Sequence, residues 1–117
     1  MSNILSAFLS MPSSTNSKPA PHVTLDAGKI EGVRDGVVES FKGIRFAAAP
    51  TGDWRWRAPR PVEPWSGVLK ATHFGADCMQ VPFDEDMAQL QTQPAEDCLF
   101  LNVWRPTGAS PGADLPA

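Results

Sequence analysis

Residue types able to do chemistry gather near one end of this 117-residue chain, in the run Glu96-Asp97-Cys98-Leu99-Phe100-Leu101-Asn102-Val103-Trp104-Arg105-Pro106. The run joins an acidic pair, one of only two cysteines and a strand-like apolar segment. Metal ligation is the first chemistry such residues raise, and the spacing gives it poor support. No CxxC is present, and His22 and His73 are solitary, each read as a surface or hydrogen-bonded structural histidine. No metal and no cofactor is therefore expected. Nucleophilic catalysis fares no better. Serines such as Ser40 in Val-Glu-Ser-Phe and Ser66 in Pro-Trp-Ser-Gly occupy contexts without an evident paired base.

The elements that would position these residues can be read along the chain. His22-Val23-Thr24-Leu25 alternates, Asp26-Ala27-Gly28-Lys29 supplies a turn, and Ile30-Glu31-Gly32-Val33 resumes the alternation, a β-hairpin pattern. Arg34-Asp35-Gly36 then leads into Val37-Val38-Glu39-Ser40-Phe41. Asp-Gly favours a type I′ turn, so a second hairpin and a meander of three short antiparallel strands are predicted. Lys42 to Ala47 either extends the third strand or bends away at Gly43.

Pro50, Pro59, Pro61 and Pro64 exclude regular structure up to Trp65. The loop is nevertheless expected to pack, because Trp54, Trp56 and Trp65 each gain about 2 to 3 kcal/mol from burial. Ser66 to Ala71 is read as a short strand or turn. Pro82 to Gln91 carries Asp84-Glu85-Asp86 ahead of Met87-Ala88-Gln89-Leu90, which suits the N-terminus of a short surface helix. Leu99 to Trp104 reads as a strand with few charges, expected to be buried on both faces within a larger sheet.

Composition excludes some functions. Ten basic and thirteen acidic residues give a net charge of −3, with no Lys/Arg stripe to neutralise phosphates, so no nucleic-acid partner is expected. The apolar run Ile4 to Met11 is too short to span a bilayer, and no membrane span is expected. Residues 1–21 are read as a disordered leader or a remnant export signal. Residues 22–106 form the patterned region, and 107–117 are linker-like, rich in Gly, Ser, Pro and Ala.

Taken together, the blocks from Gly28 to Pro106 resemble the N-terminal segment of the type-B carboxylesterase family. Gly28-Lys29-Ile30-Glu31-Gly32 is similar to the family's opening glycine hairpin. Phe41-Lys42-Gly43-Ile44-Arg45-Phe46-Ala47-Ala48-Ala49-Pro50-Thr51-Gly52-Asp53-Trp54-Arg55-Trp56 is similar to FxGIPYAxPPxGxxRF. Pro59, Pro61, Pro64-Trp65-Ser66-Gly67-Val68 and Cys78-Met79-Gln80 continue in order. Glu96, Asp97, Cys98, Leu99, Leu101, Asn102 and Val103 resemble the EDCLxLNV signature. Arg45 and Phe46 depart from the family's usual Pro and Tyr, and Ala48 replaces a proline. The segment between the cysteines has no tryptophan, unlike the loop that binds quaternary ammonium in cholinesterases, which argues against a choline-ester specialist.

The resemblance implies an α/β-hydrolase fold for the full-length family. This chain alone is expected to be mostly β: an antiparallel meander, a Pro/Trp-rich packed loop and the first strand of the main sheet. It also implies a Cys78–Cys98 disulfide, closing a loop of about 21 residues and contributing about 3 kcal/mol. The alternative is a pair of reduced thiols. A disulfide favours a secreted or periplasmic location, reduced thiols a cytoplasmic one. A structural salt bridge between Arg55 and Glu96 is implied likewise, against the alternative that both charges are merely solvated.

Catalysis in the family uses a serine on a GxSxG elbow, a histidine base, an acidic orienter and a glycine-rich oxyanion loop, and none of these motifs occurs here. No residue is assigned a catalytic role. The implied function is the N-terminal segment of a serine carboxylic-ester hydrolase, with a small-molecule ester as substrate of the whole protein and the remainder of an esterase chain needed to complete the fold. The alternatives are a fragment of a non-catalytic adhesion or scaffold relative, and a small stand-alone β binding domain.

Overall fold

The computed structural model describes residues 18–82, 85 and 89–116. Two hairpins open the fold. Strands β1 (His22–Leu25) and β2 (Gly28–Glu31) pair antiparallel around Asp26-Ala27, and β3 (Val33–Asp35) and β4 (Val38–Arg45) pair antiparallel around Gly36-Val37. Both were legible as alternating runs, but they do not form one meander. The first hairpin adds β5 (Val68–Lys70), which runs parallel to β2. The second adds β6 (Phe100–Pro106), antiparallel to β4, so two three-stranded sheets result, ordered β1-β2-β5 and β3-β4-β6.

Gly32 is where the chain crosses between sheets. It is buried, its N–H donates to the Pro21 carbonyl at 2.9 Å, and a Cβ there would collide with the Ser40 carbonyl and the Phe41 ring. Ala71 ties the sheets from the other side. Its N–H donates to the Glu31 carbonyl at 2.7 Å and its carbonyl accepts from Lys42 N–H at 2.9 Å. Ile30, Phe41, Ile44 and Ala71 form the core between these elements, with Val23, Leu25 and Trp65 packed against it. Burying the Phe41 ring alone contributes about 2 to 3 kcal/mol.

The turn after β3 is not the type I′ expected from Asp-Gly. Gly36 and Val37 are the two loop residues and only Gly36 has positive φ, 57°, the pattern of a type II′ turn. A β-branched valine at the second position disfavours the left-handed backbone that type I′ demands there.

At Gly43 β4 bends without ending. The register with β6 shifts between Phe41 and Ile44, Gly43 takes φ 67°, and its N–H donates to the Asn102 side-chain oxygen at 2.8 Å. A bulge leaves one residue outside the backbone ladder, and Asn102 satisfies the amide so freed. Only glycine fits, because a Cβ would come within 2.5 Å of the His73 carbonyl.

β6 is present, and Leu101, Val103 and Trp104 are exposed, since β6 pairs with β4 on one side only among the described residues and the larger sheet expected to bury both its faces is not part of them. Two expectations need correction. Of the tryptophans expected to pack, Trp65 does and Trp56 does not. Trp56 is 98% exposed at φ 60°, whereas Trp54, 44% exposed, stacks under the Arg60 guanidinium at 3.8 Å. Finally, residues 107–117 are not wholly detached, since Thr107 N–H donates to the Val37 carbonyl at 2.8 Å and its hydroxyl to the Gly36 carbonyl at 3.2 Å. The leader up to residue 17 and half of the proposed helix at Pro82 to Gln91 lie outside the described residues.

Candidate functional site

The signature residues run from just before β6 into its first half, and Glu96, Asp97 and Cys98 meet three different parts of the chain. Glu96 meets Arg55, which follows the short 3-10 turn Gly52–Trp54. Arg55 Nε donates to one carboxylate oxygen at 2.6 Å and Nη2 to the other at 2.8 Å, a two-pronged pair with both side chains about half exposed. The hydrogen bond from Arg55 is the main cause holding the Glu96 carboxyl below its ordinary range, and Glu96 in turn raises the Arg55 guanidinium.

Asp97 makes a second fork. Arg45, the last residue of β4, donates through Nη1 to Oδ1 at 2.5 Å and through Nη2 to Oδ2 at 2.8 Å, while its guanidinium lies 4.4 Å over the Phe100 ring. This hydrogen-bonded pair lowers the Asp97 carboxyl and raises Arg45. Sequence reasoning missed it, having treated Arg45 only as a departure from a proline. Cys98 is bonded to Cys78, with Cα atoms 5.0 Å apart. Leu99 accepts Phe46 N–H at its carbonyl, Asn102 closes the bulge at Gly43, and Leu101 and Val103 carry the strand outward.

A further charged centre lies at the opposite end of the same sheet. Glu39 on β4 is 2% exposed. It accepts from Arg34 Nε at 2.9 Å and Nη2 at 2.5 Å through one oxygen, and from Arg105 Nε at 2.8 Å through the other. Arg34 is the largest cause lowering the Glu39 carboxyl, and burial opposes it. The sequence signal was the two-residue period itself, since Glu39 and Phe41 alternate on one face of β4 and Phe41 is a core residue.

The two histidines lie away from the clamped segment, each beside one polar neighbour. His73 Nδ1 lies 2.8 Å from the Thr72 hydroxyl and His22 Nε2 lies 3.1 Å from Glu31, both at the exposed surface. Lys70 and His22 share Glu31, whose carboxyl is lowered chiefly by the Lys70 hydrogen bond. Among the described residues, no cluster of three His, Cys, Asp or Glu side chains could hold a metal ion, and no helix is long and apolar enough to cross a membrane.

The described chain thus brings together a glycine hairpin, a bulged strand, an arginine-clamped EDC segment and the edge strand β6. Over residues 19–116 the sequence matches the model of the carboxylesterase family, and the chain belongs to that family. It is 39% identical over 98 residues to the para-nitrobenzyl esterase of Bacillus subtilis (strain 168), covering 80% of this chain and 19% of that protein. It is also 37% identical over 117 residues to mouse (Mus musculus) neuroligin-3, covering 81% of this chain and 14% of that protein. A solved para-nitrobenzyl esterase superposes with a TM-score of 0.66 at 38% identity, over 75% of this chain and 18% of the esterase. The chain thus corresponds to the N-terminal region of such proteins and spans about a fifth of their length.

Proposed function

We propose that the chain is the N-terminal part of a serine carboxylic-ester hydrolase, in which it supports the sheet and shapes one wall of the active-site entrance while the catalytic groups come from other parts of the protein. The observation that carries this reading is the clamped signature, in which Glu96, Asp97 and Cys98 hold Arg55, Arg45 and Cys78 around the root of β6. Arg55–Glu96 and the disulfide have a structural role here. They fix the Trp/Pro loop and the loop between the cysteines against that strand.

In the whole protein a serine hydroxyl would attack the ester carbonyl and lose its proton to histidine. The alcohol would leave with that proton, and water would release the acid by the same steps in reverse. The substrate is a small carboxylic ester. The disulfide favours a secreted or periplasmic site of action.

The similarity to neuroligin-3 favours one second reading, a non-catalytic scaffold. Hydrolysis of a short-chain p-nitrophenyl ester separates the two. The 117-residue chain is expected to show no turnover, whereas the longer protein that contains it is expected to show turnover abolished by replacing its GxSxG serine with alanine. Turnover by the 117 residues alone refutes the placement of catalysis elsewhere. An inactive longer protein lacking that serine supports the scaffold.

A further inference from the structure

The segment between the cysteines carries a second closure beside the disulfide. Asp77, immediately before Cys78, commits its N–H, its carbonyl and its carboxylate to the far side of the loop. Oδ2 accepts the backbone N–H groups of Gln91 at 2.7 Å and Thr92 at 2.6 Å. The Thr92 hydroxyl accepts Asp77 N–H at 2.8 Å and lies 3.0 Å from the Gly75 carbonyl and 3.3 Å from Oδ2. Ala95 N–H donates to the Asp77 carbonyl at 2.8 Å, alongside a parallel bridge between Cys78 and Ala95.

We propose that this loop is closed twice, by a redox-sensitive disulfide and by a redox-insensitive Asp77–Thr92 clasp, and that the clasp keeps the loop's base in place when the disulfide is reduced. The two closures differ in kind. A disulfide acts largely by restricting the unfolded chain, so its loss lowers global stability without removing any contact at the base. The clasp is a native-state device, a carboxylate receiving two consecutive amides, and charge-assisted bonds of this kind are among the stronger ones. Asp77 and Thr92 are 15 positions apart and the cysteines 20, so the clasp closes the shorter span and its closure entropy does not exceed that of the covalent loop. The consequence bears on compartment: the loop's base keeps its geometry under reducing conditions, so an oxidising location is not required for it.

Amide hydrogen exchange on the full chain tests this, reading Gln91, Thr92 and Ala95 against Lys42 and Ala71, whose N–H groups bond within the core. Reduction with a phosphine is expected to speed Gln91 and Thr92 less than about threefold, and Asp77→Ala, with the disulfide intact, at least about tenfold. Asp77→Asn, which keeps an acceptor oxygen without the charge, falls between. The proposal is overturned if reduction, or Cys78→Ser with Cys98→Ser, deprotects Gln91 and Thr92 as far as Asp77→Ala does. It is overturned equally if Asp77→Ala leaves them protected. Loss of Lys42 and Ala71 together with Gln91 and Thr92 on reduction also refutes it, because the clasp then fails to outlast the disulfide. The reduced wild-type chain decides alone should Asp77→Ala not fold.

Discussion

Replacing Glu39 by alanine removes the one carboxylate that faces both Arg34 and Arg105, and leaves two guanidinium groups, 22% and 28% exposed, without their shared partner. Removing one member of a buried ionic group costs about 3 to 5 kcal/mol, most of it the uncompensated charge left behind. The partial exposure of both arginines lets water reach them, so the lower end, about 3 kcal/mol, is expected. Urea unfolding followed by tryptophan fluorescence measures it.

The pH dependence gives an independent check. The folded carboxyl of Glu39 titrates below its unfolded value, so its contribution is present in full above the unfolded carboxylate pKa, about 4.3, and is lost as pH falls through the lower folded value. The gap between wild type and Glu39→Ala should therefore be constant near neutrality and close under acid. A loss below about 1 kcal/mol, as for a solvent-screened pair, or a gap that does not narrow in acid, refutes the buried-ion account.

Reduction of Cys78–Cys98 should lower stability by about 3 kcal/mol with little change in the native backbone amides, checked by urea midpoints with and without reductant. Gly28→Ala places a methyl within 2.6 Å of the Trp65 indole, which donates to the Lys29 carbonyl at 3.0 Å. The ring must move, so stability should fall by about 1 to 3 kcal/mol and the fluorescence maximum should shift red; an unchanged spectrum counts against this packing. Arg55→Met removes a half-exposed pair, so its urea midpoint should move far less than that of Glu39→Ala; a shift of equal size would show that the Arg55–Glu96 pair is more strongly coupled than its exposure allows.

What was readable from sequence had a local cause. The hairpins at 22–31 and 33–45 follow from alternation and turn residues, and β6 from an apolar run ended by Pro106. Their assembly into two sheets was not readable, because it depends on β5 returning beside β2 across 36 intervening residues and on one buried glycine, Gly32. Charge partners show the same division. Glu39 could be placed on the core face of β4 by period, yet nothing local names Arg105 as its partner 66 positions away. Asp97 and Arg45, 52 apart, meet only because the bulge at Gly43 carries the end of β4 past the start of β6. The exposure of Trp56 was unreadable for a different reason, since apolar character states a gain on burial and supplies no surface to bury against.

The three consecutive residues Glu96, Asp97 and Cys98 explain why this short segment can organise so much chain. The backbone bends at Glu96 and the Cys98 N–H donates to the Glu96 carbonyl at 3.1 Å, a tight three-residue turn whose side chains reach partners that do not touch one another. Glu96 takes the loop after Pro50, Asp97 the end of β4 and Cys98 the segment beginning at Asp77, by two ion pairs and one covalent bond. Each partner lies 20 to 52 positions away, so the segment pins three separate parts of the chain at the point where β6 enters the sheet. Losing any one contact frees one part and leaves the other two held, whereas displacing the backbone at Asp97 would disturb all three. A proline at Asp97 should therefore cost more than the single losses of the Arg55 pair, the Arg45 pair and the disulfide added together, and a cost equal to their sum would mean that the three anchors act independently.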